Sequence, residues 1–118
     1  MKKFFRGFGF AFNGIKYTFK TQLNFRVHCF VAIVIAALCF YLELNKTEWL
    51  WIIAATTIVL MAELANTAIE TLVDLVSPEY NLKAGLVKDI AAAMVLLAAL
   101  MALIIGFLIL LPKIFHAS

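Results

Sequence analysis

Apolar positions fall into four blocks with different periodicities. Between residues 2 and 22, Phe4, Phe8, Phe12, Ile15 and Phe19 recur at helical spacing and share one face, while Arg6, Asn13, Lys16 and Lys20 occupy the other. Phe10 and Tyr17 break the pattern and sit among the polar residues. This is the signature of a basic, aromatic helix lying in a membrane interface. Gly7, Gly9 and Gly14 weaken it as an isolated helix, so it is expected to order on lipid or against other helices. Three long apolar runs follow, each predicting a membrane helix: 23–43, 48–76 and 83–111. The segment Glu43–Glu48 reads as a tight polar turn, with Tyr41, Trp49 and Trp51 as interface aromatics around it. Ser77-Pro-Glu-Tyr-Asn81 reads as a loop, and Pro112 with Lys113 as the end of the last helix. The fold expected is an all-α membrane protein, with one surface helix and three transmembrane helices in a single domain spanning 1–118.

Composition supports that reading. The 118 residues are 65% hydrophobic and 14% charged, with a mean hydropathy of +1.02, against about 25% charged for a soluble domain. Disorder and a disulfide scaffold are both excluded, the first by hydrophobicity and the second by a count of two cysteines. Cys29 and Cys39 are ten residues apart on one helix, about 15 Å, and cannot bridge each other. The first long apolar run begins too late for a secretory leader, so none is expected.

Charge placement sets the expected topology. Of ten Lys and Arg residues, six precede residue 27 and two lie in the 77–89 connection. The positive-inside rule then puts the N-terminus and that connection in the cytoplasm. A basic N-terminus can serve nucleic acid or anionic lipid, and the apolar chain behind it favours lipid, so no nucleic-acid partner is expected. His28 reads as a helix-end histidine reaching toward headgroups, with help to an interfacial contact as the alternative.

The chemistry-bearing segment is Glu63-Leu-Ala-Asn66-Thr-Ala-Ile-Glu70-Thr-Leu-Val-Asp74. Its four polar residues fall within about 80° of one another and form a stripe about 16 Å long. Ionisable groups inside a span are costly and mark function. The bland alternative is pairing with Lys88, Lys83 or Arg26 to hold helices together. Glu63 lies about 21 Å inward from Trp49, in the inner leaflet, and Glu70, Asp74, Lys88 and Asp89 gather near the cytoplasmic surface. Such a site suits an enzyme that meets one substrate in the bilayer and another in water. Hard oxygen ligands beside a lysine suggest phosphoryl transfer with Mg²⁺. No P-loop, protein-kinase motif set or zinc spacing is present. The other classes open at this point are an oligomeric ion or proton channel or carrier using the Glu63/Glu70 stripe, and a structural membrane subunit. Three short spans enclose little space alone, so a homo-oligomer is expected on every reading.

The block E-x-x-N-T-A-I-E-x-x-V-D at 63–74, the S-P-E-Y loop at 77–80 and the K-D-I-A-A-A start of the last helix resemble the small prokaryotic diacylglycerol kinase and undecaprenol kinase family. Phe10-Ala-Phe-Asn-Gly-Ile-Lys16 and Asn24-Phe-Arg-Val-His28 match it too, at the same spacing, so the resemblance covers essentially the whole chain. It implies transfer of the γ-phosphate of MgATP to a membrane lipid alcohol (undecaprenol or 1,2-diacylglycerol) at the cytoplasmic face of the bacterial plasma membrane, by a homotrimer with sites between subunits. It further implies Glu63 as general base with Asn66 supporting it, Glu70 and Gln22 at the metal, and Asp74 keeping the site in shape. Phe10, Gln22, Glu70, Glu79, Tyr80, Lys88 and Asp89 fall at nucleotide-contacting positions. Gln22 stands where the family usually has a glutamate. The Asn24–His28 block and the Leu111-Pro-Lys-Ile114 ending lean toward the undecaprenol branch.

Overall fold

The computed structural model describes residues 1–117, with side chains through His116. Among them the chain is all helix and turn: α1 Lys2–Thr21, α2 Leu23–Tyr41, α3 Lys46–Val76 and α4 Leu82–Ala117. Helices α2, α3 and α4 are each long and apolar enough to cross a membrane. The molecule is a slab of 55 × 42 × 21 Å, about two helix diameters thick.

One residue separates the surface helix from the first span. Gln22 is extended (φ −115°, ψ 110°) and serves as C-cap of α1 and N-cap of α2. The last carbonyls of α1 lack helical partners, as at any helix C-terminus. Arg26, one turn into α2, supplies them: its Nη1 donates to the carbonyls of Phe19 (2.8 Å) and Lys20 (2.9 Å). The elbow is thus held from the far side by a side chain that the sequence offered only as a carboxylate partner. Phe4, Phe8, Phe12, Ile15 and Phe19 all remain exposed, an apolar strip with no cover in the single chain.

The turn after α2 is more structured than a polar loop. Glu43 has φ 53°, and the amides of Glu43 and Leu44 donate back to the carbonyls of Phe40 (3.3 Å) and Cys39 (3.4 Å). That is a Schellman ending with glutamate where glycine is usual. Leu44 therefore turns inward and joins buried Cys39, Ile52 and Leu110 in an apolar cluster, although the sequence placed it in a polar turn. Trp49 packs against the same cluster, its ring centroid 4.8 Å from that of Phe40, while Trp51 is 57% exposed. Trp51 and Tyr41, the latter 80% exposed, have the exposure of belt residues, and Trp49 does not. Both cysteines are free.

Helix α3 opens on a capping box. Asn45 Oδ1 accepts from the Glu48 amide (2.9 Å), and Glu48 Oε1 accepts from the Asn45 amide (3.0 Å). The same carboxylate meets Lys113 Nζ at 3.1 Å. Here the sequence expectation needs correction: α4 does not end at 111 but runs through Pro112 to Ala117. Proline forfeits one helical hydrogen bond, a loss that long membrane helices tolerate, and the Lys113–Glu48 pair ties the continuation to the start of α3. Deeper in the slab, α3 and α4 approach through small residues, with Val59, Ala62 and Ala98 buried and Val95 and Ala102 beside them. Small side chains let membrane helices pack closely.

Replacing Asn45 with alanine removes the cap, and the thermal midpoint in detergent is expected to fall by about 3–5 °C. Asn45→Asp, which retains an accepting oxygen, is expected to restore it.

Candidate functional site

The polar stripe on α3 follows the periodicity of its sequence, but its members have different surroundings. At the deep end, the Glu63 side chain is only 4% exposed and lies in contact with α2: His28 Nε2 is 3.2 Å from Glu63 Oε1. This corrects the expectation for His28, whose ring faces a carboxylate and is not a free headgroup anchor. The alignment is short of a hydrogen bond, for Oε1 has no hydrogen-bond partner among the described residues. Thr67, buried one turn on, donates to the Glu63 carbonyl at 2.9 Å, and Thr71 donates to the Thr67 carbonyl at 2.7 Å. These back-bonded threonines hide their hydroxyls from the apolar surroundings.

In the middle of the stripe, Asn66 Nδ2 donates to Glu70 Oε1 at 3.2 Å. The other amide atom, Asn66 Oδ1, is buried without a partner. At the shallow end, Lys88 of α4 reaches Asp74, with Nζ to Oδ1 at 2.6 Å and side chains 40% and 65% exposed. Glu70 is near enough for its charge to act on both Glu63 and Lys88. Of the three cations considered for holding helices together, Lys88 alone pairs with the stripe among the described residues; Arg26 is committed to the α1 carbonyls.

The remaining candidates are dispersed. Asn81 caps α4, its Oδ1 accepting from the amides of Lys83 (2.9 Å) and Ala84 (3.3 Å). Further along α4, Lys88 and its neighbour Asp89 diverge by about 100°. Asp89 lines a shallow depression of about 270 Å³ with Tyr80, Leu82, Lys83 and Leu86, apart from the Asp74 contact. Glu79 is exposed in the loop, where Ser77 Oγ donates to its carbonyl at 3.3 Å. Phe10 is 67% exposed on α1. Gln22 sits at the elbow, its amide 3.5 Å from Thr21 Oγ1, and no hydrogen bond joins it to Glu70 among the described residues. The structure therefore gathers Glu63, Asn66, Glu70, Asp74 and Lys88, and leaves Phe10, Gln22, Glu79, Tyr80 and Asp89 outside that group.

An apolar groove of about 460 Å³ runs between α2, α3 and α4. His28 and Thr56 are its polar lining residues; the others include Ala32, Ala55, Ala102 and Gly106, whose small side chains keep it open. His28 belongs both to this groove and to the Glu63 contact. No spacing signal in the sequence tied residue 28 to residue 63, and only the packing of α2 on α3 joins them.

Comparison with known proteins gives a consistent result. The family model for prokaryotic diacylglycerol kinase matches residues 9–110. The chain is 44% identical over 109 residues to a diacylglycerol kinase of Synechocystis, covering 89% of this chain and 61% of that protein. It is 38% identical over 113 residues to the undecaprenol kinase of Bacillus subtilis, covering 96% and 92%. A diacylglycerol kinase of Escherichia coli is 26% identical over 96 residues, covering 81% and 79%. Nothing in these relatives favours the channel or carrier alternative.

The exposure of the Lys88–Asp74 pair limits its mechanical value, since surface ion pairs contribute little. Asp74→Asn is expected to shift the thermal midpoint by no more than about 3 °C. A drop several times larger in detergent unfolding would make this contact a principal tie between α3 and α4.

Proposed function

The chain belongs to the prokaryotic diacylglycerol kinase family, and on that premise we propose that it transfers the γ-phosphate of ATP to the hydroxyl of a membrane lipid alcohol, undecaprenol or a diacylglycerol. The observation that carries this reading is the gradient along α3. Glu63 is buried against His28, which lines an apolar groove, and about 16 Å further along the helix the Lys88–Asp74 pair is open to solvent. An amphiphile presented sideways from the bilayer has its hydroxyl at the first of these, and a water-soluble nucleotide has its phosphates toward the second.

In the proposed reaction Glu63 accepts the hydroxyl proton as the lipid oxygen attacks the γ-phosphorus in line. The bond from that phosphorus to the bridging oxygen breaks, and its electron pair leaves with ADP. Lys88, oriented by Asp74, neutralises phosphate charge that would otherwise repel the nucleophile. Phe10, Glu79, Tyr80 and Asp89 contribute to the nucleotide site, and their dispersal in one chain supports a site completed by a second copy, in a homotrimer.

The donor set fits Mg²⁺. Mg²⁺ takes one or two carboxylates plus phosphate and water oxygens; Glu70 and the buried, unpartnered Asn66 Oδ1 lie together on α3, and the Gln22 amide oxygen, apart from them at the elbow of the single chain, would join them only in the assembled site. When bound there it would supply charge neutralisation for the transferring phosphoryl group. The concentration of Lys and Arg in α1 and around 83–88 supports a cytoplasmic N-terminus.

The test is phosphate transfer from MgATP in mixed micelles, with undecaprenol and diacylglycerol offered separately. Glu63→Gln is expected to fold and assemble normally while its rate falls by about 10²–10⁴-fold. Substantial activity in that variant would remove Glu63 from the role of base. Gln22→Glu adds a carboxylate and is expected to lower the Mg²⁺ concentration for half-maximal rate. An unchanged Mg²⁺ curve would place Gln22 outside the metal site.

A further inference from the structure

We infer that His28 is a positioning residue for Glu63, acting as an N–H donor that fixes one carboxylate oxygen and leaves the other for the lipid hydroxyl; this rests on the kinase reading above. The inference starts from an accounting of Glu63. A carboxylate that is 4% exposed has lost nearly all its water, and burial of an unpaired charge is costly. Its other charged neighbour on α3, Glu70, has the same sign. Lys88 is committed to Asp74, and Arg26 to the α1 carbonyls. Among the described residues, the ionisable N–H group in contact with Glu63 is His28, at 3.2 Å.

The geometry is that of a poised partner. Nε2 is within reach of Oε1, but Oε1 lacks an aligned hydrogen bond, as catalytic contacts often do before substrate arrives. A donor that holds one carboxylate oxygen leaves the lone pairs of the other free to accept a proton. It also removes the freedom of the carboxylate to rotate, which matters because a misplaced base loses rate steeply. His28 comes from α2 and Glu63 from α3, so the contact transmits the packing of the first span directly to the base. Because His28 also lines the apolar groove, a lipid seated there brings its hydroxyl past the imidazole to the second carboxylate oxygen.

Two variants of His28 and one spectroscopic comparison test this. His28→Leu keeps an apolar side chain of similar bulk but no donor, and kcat is expected to fall by about 10- to 100-fold. KM for ATP is expected to stay within about twofold, since the nucleotide groups are untouched. His28→Gln restores an N–H donor and is expected to recover kcat to within about threefold of the wild type. In ¹⁵N-histidine NMR of the assembled wild-type protein, the His28 ring signals are expected to move on Glu63→Gln while those of His116 stay fixed. Wild-type kcat in His28→Leu, or a His28 ring indifferent to Glu63→Gln, overturns the inference. A wild-type protein that phosphorylates neither lipid overturns the kinase reading instead, and the NMR result still decides whether the two side chains are coupled.

Discussion

A charge in hydrocarbon is the constraint around which this chain is arranged. Removing an ionised carboxylate from water costs several kcal/mol even after the surroundings relax, so each carboxylate on α3 must either find a partner or stay near water. The chain does both, in graded fashion. Glu63, deepest, is almost wholly buried and meets a histidine; Glu70 is half-buried and accepts from an asparagine; Asp74 is mostly exposed and pairs with a lysine. Partner polarity and solvent access rise together along the helix. A uniform stripe of buried carboxylates would be far costlier, and a uniform stripe of exposed ones could not meet a hydroxyl inside the bilayer.

That gradient depends on the length of α3. At 31 residues the helix is about 46 Å long, well over the roughly 30 Å of a hydrocarbon core. The surplus carries the shallow end of the stripe, at Asp74, out of the hydrocarbon. The helix is registered from the other end, where the Asn45 capping box, the inward-turned Leu44 and the Glu48–Lys113 pair fix its start. The alanine seam with α4 then holds the two helices close along the middle of the slab. Features at one face of the membrane thus set the height of Glu63 near the other.

The sequence made the elements legible because helices announce themselves locally. Apolar period, the polar 43–48 turn and the Pro78 loop marked four helices in the right order, and the 63–74 spacing put four polar groups on one face. What it left unread were contacts between elements. Nothing in residues 23–28 says that Arg26 turns back to α1 or that His28 reaches Glu63; both depend on how α2 docks. Leu44 was hidden by its polar neighbours, because an apolar residue in the second position after a helix end is buried only once the Schellman turn forms. Pro112 misled for the opposite reason. As a local signal it ends helices, but here the continuation is held by a tertiary contact through Lys113.

The dispersal of the nucleotide candidates has a geometric origin. Adjacent residues on a helix point about 100° apart, so Lys88 and Asp89 have different neighbours in the single chain. Lys88 looks toward α3 and the carboxylates, while Asp89 looks outward into the depression beside Tyr80. Two adjacent residues can contribute to one phosphate-binding region if the outward face of one copy meets the inward face of the next. The exposed apolar strip of α1 and the exposed flanks of α2 and α4 offer the surface for that packing. On the proposed reading, assembly then does two things at once: it covers apolar side chains and brings an Asp89 face to a Glu70–Lys88 face. Residues 1–118 hold no phosphate-binding loop motif, and on the proposed reading the facing surface of a second copy is the wall that closes the nucleotide site.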